Sequence, residues 1–181
     1  QLEERKRIAL QRLEEEERDE EELERMEAEK QQQAIAKQAL LFEEFLAREA
    51  KAGQLEAFKA KIKPVSQPVL LHGHCHQKAF NVMGPVEKTL RLVPGLEVAT
   101  VDSGCCGMAG AFGYGAETYD ISMRMGEAAL LPAVRAAGGD TIIVADGTSC
   151  RQQIADGAGR GAIHVARVLE QALDESRGEL S

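Results

Sequence analysis

Three short apolar runs each stop at a cysteine, and that repetition limits the chain more than any other feature. Val69-Leu70-Leu71 runs into His72-Gly73-His74-Cys75, Leu96-Glu97-Val98-Ala99-Thr100-Val101 stops at Asp102-Ser103-Gly104-Cys105-Cys106-Gly107, and Thr141-Ile142-Ile143-Val144-Ala145 ends at Asp146-Gly147-Thr148-Ser149-Cys150. Each run reads as a strand bounded by turn residues. Between them the spacing turns helical. Val86, Leu90 and Val93 follow the first run, and a long stretch carrying Ile121, Met125, Ala128, Ala129, Leu131 and Val134 follows the second, after a passage rich in glycine. A helix is expected over Arg151 to Ala155, Ala162-Ile163-His164 is a candidate fourth strand, and Val165 to Leu173 reads as a closing helix. Strand and helix alternating in this order imply an α/β domain built on a parallel sheet covered on both faces.

The rest of the chain is different in kind. Its length of 181 residues fits one domain with an appendage. Of the formal net charge of -8, most lies in residues 1–33, where 13 acidic residues face 7 basic ones. Every residue from Glu14 to Glu22 is charged, so no apolar heptad continues through the segment. Strong helix formers and pairs such as Glu3-Arg7 and Glu14-Arg18 predict a solvated helix, with a partner-binding coiled coil as the alternative. Gln1 in place of an initiating Met reads as a chain cut from something longer or engineered. From Ile35 a stripe of Ile35, Ala39, Phe42 and Leu46, flanked by Leu41 and Phe45, predicts an amphipathic helix that ends near Gly53 and packs on the following domain. The expected division is a charged helical leader over 1–33, a helix and connector over 34–67, and a cysteine-rich α/β domain over 68–181. There is no apolar run long enough for a membrane span and no apolar signal core. The acidic balance argues against nucleic acid as a partner.

The four cysteines then share a location. In an open parallel sheet the carboxyl ends of the strands lie on one edge, where such folds bind ligands, so Cys75, Cys105, Cys106 and Cys150 are expected to converge. Helix N-termini favour the thiolate, the metal-binding form of a thiol. Four readings follow. Buried free cysteines are common. A tetrahedral Zn site usually shows paired C-x-x-C ligands, which this chain lacks. A disulfide between adjacent Cys105 and Cys106 has the wrong geometry. An iron-sulfur cluster, whose neighbouring ligands can bind different irons, fits the spacing best.

His74-Cys75-His76-Gln77-Lys78-Ala79, Asp102-Ser103-Gly104-Cys105-Cys106-Gly107-Met108-Ala109-Gly110 and Ala145-Asp146-Gly147-Thr148-Ser149-Cys150-Arg151 together resemble the cysteine-rich CCG domain. That domain occurs in heterodisulfide reductase, in one of the subunits of anaerobic glycerol-3-phosphate dehydrogenase and in the iron-sulfur subunits of glycolate oxidase. Over about Gln38 to Leu173 the resemblance is nearest to the C-terminal iron-sulfur region of FAD-linked oxidases such as D-2-hydroxyglutarate and D-lactate dehydrogenases. It implies a small Rossmann-like parallel-sheet domain, here preceded by the long charged helix. It also implies a 4Fe-4S type cluster with Cys75, Cys105, Cys106 and Cys150 as metal ligands. Gly147 stands where many members carry the first Cys of a C-x-x-C pair, so either a four-Cys cluster or a non-Cys substitute ligand is admissible.

Residues around the ligands have expected roles of their own. His74, Gly107 and Ser149 are the expected cofactor contacts. His72, His74 and His76 alternate and would face one way if extended, in ligating or hydrogen-bonding roles. Asp102 and Asp146 are expected to cap helices or orient loop amides, Lys78 and Arg151 to compensate cluster charge or remain solvated, and His164 to be structural. The glycines at 107, 110, 113 and 115 match no phosphate loop and read as close backbone approach to a cluster. The implied function is electron transfer: the cluster relays electrons from FAD, held by a flavoprotein domain or subunit and reduced by a 2-hydroxy acid, to a quinone or carrier protein. No catalytic residue is expected in this chain, and its expected location is cytoplasmic, including the inner membrane face through partners. A structural docking module with Zn or free thiols, and a thiol-redox site of the heterodisulfide reductase kind, are the alternatives.

Overall fold

The computed structural model describes residues 1–174. The described chain separates into two compact units that divide between Leu41 and Phe42. The first is dominated by helix α1, Leu2–Ala36, whose Leu23, Met26 and Ile35 side chains are exposed. Ion pairs three residues apart, Glu4 with Arg7 at 2.6 Å and Glu22 with Arg25 at 3.8 Å, run along its surface. Such exposed pairs are screened by solvent and add little to the intrinsic preference of the segment for helix.

The amphipathic stripe read from Ile35 onward is not one helix. The leader helix continues to Ala36, a turn follows, and a separate helix α2 covers Phe42–Lys51. Of the stripe, Leu46 is buried, whereas Ile35, Leu41, Phe42 and Phe45 are exposed. Helix formers such as Ala34, Ala36 and Lys37 gave the sequence no stop signal, and Leu46 is the residue that tertiary packing selected. Leu46 joins Leu55, Ile62, Val93, Leu169 and Ala172 in one apolar cluster, so α2 does pack on the domain. A short helix α3, Glu56–Lys59, lies in the connector.

The domain is α/β, as expected. Strand β1, Pro68–His72, lies between β2, Glu97–Thr100, and β3, Ile142–Ala145, in an all-parallel sheet of order 2-1-3. Pairing runs from Pro68 opposite Glu97 on one side and from Val69 opposite Ile142 on the other, which sets His72 opposite Ala145. Ile163 extends this edge by a single parallel bridge to Val144 rather than a full strand. Side chains alternate across the sheet. Val69, Leu71 and Val144 pack with Val86, Leu90, Val165 and Val168 on one face. Ile143 and Ala145 pack with Leu130, Val134, Ile154, Cys106 and Cys150 on the other.

The helices are more broken than the sequence pattern implied. The stretch after β1 divides into α4, Cys75–Ala79, and α5, Met83–Leu90, at Asn81, whose φ of 57° is left-handed. The stretch before β3 divides into α6, Tyr119–Glu127, and α7, Leu130–Ala136, at Ala129. Two alanines at the break carry no sequence signal for it. Helix α8, Thr148–Ala158, starts three residues earlier and runs longer than expected, ending in a left-handed Gly159. Helix α9, Val165–Ala172, closes the fold. Helix α5 covers the face on which Val69 lies and α8 the opposite one, so β1 and β3 are neighbours whose chains leave in opposite directions. That divergence opens a crevice at their carboxyl ends.

The loop after β2 enters this crevice in a conformation that glycine makes possible. Gly107 has a φ of 97°, and a Cβ there would stand 2.1 Å from the Ser122 carbonyl oxygen of α6. Gly110 has a φ of 66° with open space around it. Replacing Gly110 by Ala is therefore expected to cost only the left-handed penalty of about 1–2 kcal/mol. Gly107→Ala is expected to cost clearly more, because backbone must also move. Urea denaturation of both variants measures the difference, and equal losses would mean that the approach to Ser122 is not tight.

Candidate metal centre

Each cysteine reaches the crevice from one of three loops. Cys75 is the first residue of α4, Cys105 and Cys106 follow β2, and Cys150 lies in the first turn of α8. Cys106 and Cys150 are 3% and 1% exposed; Cys75 and Cys105 are half-buried toward the rim. All four are free thiols. They form two hydrogen-bonded pairs, Cys106 with Cys150 in the interior and Cys105 with Cys75 nearer solvent.

The interior pair holds its first proton weakly. The Cys150 thiol donates to Cys106 sulfur, and this, aided by His72 and the Met108 backbone N–H against the opposing effect of burial, lowers the Cys106 thiol to about 4. Cys150 moves the other way, raised by that same hydrogen bond, by burial and by the neighbouring thiolates. One interior sulfur is thus a thiolate at neutral pH and the second keeps its proton until something else neutralises the charge. Burial raises Cys105, although the Gly107 N–H at 3.4 Å from its sulfur works against that. A bound metal ion or cluster would take the place of the remaining protons, because thiolate is the form it binds.

His72 completes the interior. It is 1% exposed, its Nδ1 lies 3.0 Å from Ser103 Oγ, and its buried Nε2 has no hydrogen-bond partner. A ring nitrogen of His72 and the sulfurs of Cys106 and Cys150 lie within 4.8 Å of one another. His74 is placed differently. It caps α4, its Nδ1 accepting the His76 backbone N–H at 3.3 Å, and burial lowers its pKa, with His76 adding to the effect. Its ring also occupies the space beside Gly147: a Cβ there would stand 2.3 Å from His74 Cδ2 and 2.9 Å from Cys150 Sγ. Glycine at 147 and histidine at 74 are thus complementary, and a side chain at 147 would displace the imidazole.

The loops are tied to one another by side chains. Gln77 accepts the His74 N–H at 3.0 Å and donates to Asp146 Oδ2 at 2.7 Å, joining the first loop to the third. Lys78 donates to the carbonyls of Ser103 and Gly104, joining the first to the second. Arg151 donates to the carbonyls of Ala145 and Asp146 at 3.0 and 2.7 Å. Both cations therefore fix loop carbonyls beside the thiols instead of standing solvated. Asp146 Oδ1 accepts the Val165 N–H at 3.0 Å, and His164 caps α9 by accepting the Ala166 N–H at 3.1 Å, both structural roles. Asp102 and His76 are exposed, and Ser149 is half-buried in the first turn of α8. The glycine requirement at 107 comes from Ser122 of α6, while its N–H does point at Cys105 sulfur.

Gln77, Ser103 and Glu43 were not singled out by sequence reading. Gln77 had a usable signal, since it stands three residues after the helix cap, as in a capping box. Glu43 had none. It is 4% exposed beside Asp146 and His164, with Oε1 3.9 Å from His164 Nε2 and without a hydrogen bond.

Residues 69–155 match the family model of the cysteine-rich domain, CCG. The match begins in β1 and ends in α8, and so spans all four thiols. One of the subunits of the anaerobic glycerol-3-phosphate dehydrogenase of Escherichia coli strain K12 is 34% identical over 112 residues, which cover 62% of this chain and 28% of that protein. The protein of the same name from Escherichia coli O157:H7 matches to the same extent. The chain thus spans little more than a quarter of the length of these curated relatives. No solved structure matches it. Among the described residues no helix is long and apolar enough to cross a membrane.

Two outcomes test these electrostatics. In the reduced, metal-free protein, thiolate absorbance near 240 nm should show a single early step with an apparent pKa of about 4 that Cys106→Ser abolishes. A first step in the ordinary thiol range, near pH 8–9, would contradict the pairing. For Glu43, burial raises the pKa, with repulsion from Asp146 adding to it. Stability from its neutral form is present at low pH and is lost as pH rises through the folded value. Glu43→Gln should therefore melt higher than the parent at about pH 8, with the gap closing toward about pH 4. A variant that melts lower at about pH 8 would show that the carboxylate is needed.

Proposed function

We propose that this domain holds an iron-sulfur cluster on Cys75, Cys105, Cys106 and Cys150 and passes electrons between a flavin and an acceptor. One observation carries this reading: four free thiols from three separate loops meet at one sheet edge, hydrogen-bonded in two pairs. Their match to the cysteine-rich domain family supports it.

When bound, the cluster would supply one-electron storage of the kind that iron-sulfur sites provide. The protein's own contribution is to position and insulate. Cys106 and Cys150 present sulfur from the apolar core, with water excluded. Cys75 and Cys105 present it at the rim, which makes that side the natural exit for electrons. The N–H groups of Gly107 and Met108 donate to Cys105 and Cys106 sulfur and lower the cost of negative charge there. Lys78 and Arg151 hold the loops with cationic side chains, which act in the same direction.

The flavin would belong to another domain or subunit. The name of the relative, a glycerol-3-phosphate dehydrogenase subunit, supports a dehydrogenase system as the electron source. Within such a system we propose FAD as the donor, glycerol 3-phosphate or a 2-hydroxy acid as the substrate oxidised elsewhere, and a quinone or carrier protein as the acceptor. A peripheral position at a membrane through partners follows from that acceptor. A zinc-holding docking module is the second reading, and the neighbouring His72, Cys106 and Cys150 donors favour it, since sulfur with imidazole also suits zinc.

After anaerobic reconstitution with iron and sulfide, the isolated chain should develop visible absorption that dithionite bleaches. It should oxidise neither glycerol 3-phosphate nor D-lactate by itself. Substrate turnover by the chain alone would overturn the electron-transfer assignment, and a colourless protein that takes up only zinc would favour the second reading.

A further inference from the structure

The interior of the crevice contains one donor that the cysteine reading leaves without a role. His72 Nε2 is buried, makes no hydrogen bond of ordinary geometry and faces the Cys106 and Cys150 sulfurs, a costly state for a polar atom that binds nothing. The ring is not there by accident of packing. His72 lies on the β1 face that carries Leu70, opposite Ala145, and this face looks toward Cys106 and Cys150. Its other nitrogen is held: Nδ1 lies 3.0 Å from Ser103 Oγ, and Lys78 fixes the backbone of Ser103 and Gly104. The Ser103 contact admits either tautomer: with the proton on Nε2 the ring donates toward Cys106 sulfur in the metal-free site, and with Ser103 Oγ accepting from Nδ1–H the lone pair lies on Nε2, the arrangement that orients an imidazole for metal.

The other described histidines are excluded by the same chemistry. Nδ1 of His74 accepts the His76 N–H and Nδ1 of His164 accepts the Ala166 N–H. In each neutral ring the proton then sits on Nε2, which can donate but not ligate. His76 is exposed on α4.

We propose that Nε2 of His72 is a protein ligand of the same centre, binding on its buried side beside Cys106 and Cys150. This rests on the cluster reading for the identity of the metal, but the ligand assignment can be tested with another ion. With His72, the site offers five donors from three loops, four sulfurs and one nitrogen. The position at Gly147 stays closed to a further ligand by the His74 ring. Ser103 is a positioning residue, acting through Nδ1.

The test uses the full chain, reduced and metal-free, loaded anaerobically with Zn2+ alone. X-ray absorption should show a nitrogen neighbour at ~2.0–2.1 Å together with sulfur at ~2.3 Å. His72→Ala should remove the nitrogen neighbour and weaken Zn2+ binding by at least about tenfold. If His72→Ala fails to fold by circular dichroism, His72→Gln and the parent protein labelled with 15N-histidine keep the question open to measurement. Reconstituted with iron and sulfide and reduced, the labelled protein should change the nitrogen hyperfine splitting of its paramagnetic signal. A sulfur-only shell in the parent, or a nitrogen neighbour that persists in His72→Ala, would overturn the proposal and leave His72 as an N–H donor to sulfur. Zn2+ bound through His72 in a protein that takes up no iron would sink the cluster reading and leave the ligand assignment standing. Iron uptake without nitrogen coupling would do the reverse.

Discussion

Everything at the site depends on β1 lying between β2 and β3 with all three strands parallel. Only then do three loops far apart in sequence end on one edge, and only with His72 opposite Ala145 does an imidazole face the space between Cys106 and Cys150. A shift of one residue in that register would turn His72 to the opposite face, among Val86, Leu90 and Val168. The two faces of β1 are unlike. One is aliphatic throughout, while the other ends in a polar ring and two thiols, so the hydrophobic pattern of the strand also fixes the chemistry of the site.

Convergence brings an electrostatic problem with it. Four thiols in a half-buried crevice cannot all ionise, and the structure answers by pairing them: the interior pair gives up one proton readily and holds the other tightly. The surrounding loops are cross-tied by Gln77, Lys78 and Arg151, so the sulfurs cannot separate to relieve their repulsion. Sulfurs held this close can all become thiolates only when a positively charged group binds among them, and the match to the cysteine-rich domain supports such a group. The leader helix, by contrast, carries much of the charge of the chain on exposed side chains and takes no part in this account.

The strands and the grouping of the cysteines were legible in the sequence, because apolar runs ending in Gly, Ser and Asp leave strong local signals. The α/β class followed from their alternation with helices. Helix ends were less legible. The break at Ala128-Ala129 lies between good helix formers, and the one at Asn81 depends on a left-handed residue that has no unique signature. The short strand over Ala162–His164 reduced to one bridge at Ile163, since His164 caps α9 instead. Side-chain meetings across long separations were not legible at all. That the His74 ring fills the space at Gly147, that Gln77 reaches Asp146, and that Glu43 is buried beside His164 are consequences of packing, visible only once the loops are in place.

The central claim is that sulfurs from three loops hold one centre together. Iron and acid-labile sulfide, counted per chain after anaerobic reconstitution in the parent and in the four single Cys→Ser variants, test it most directly. The account predicts iron and sulfide in similar amounts in the parent, with loss of both when any of Cys75, Cys105, Cys106 or Cys150 is replaced. Full iron and sulfide content retained in a variant lacking Cys106, or a parent chain that takes up neither, would contradict it.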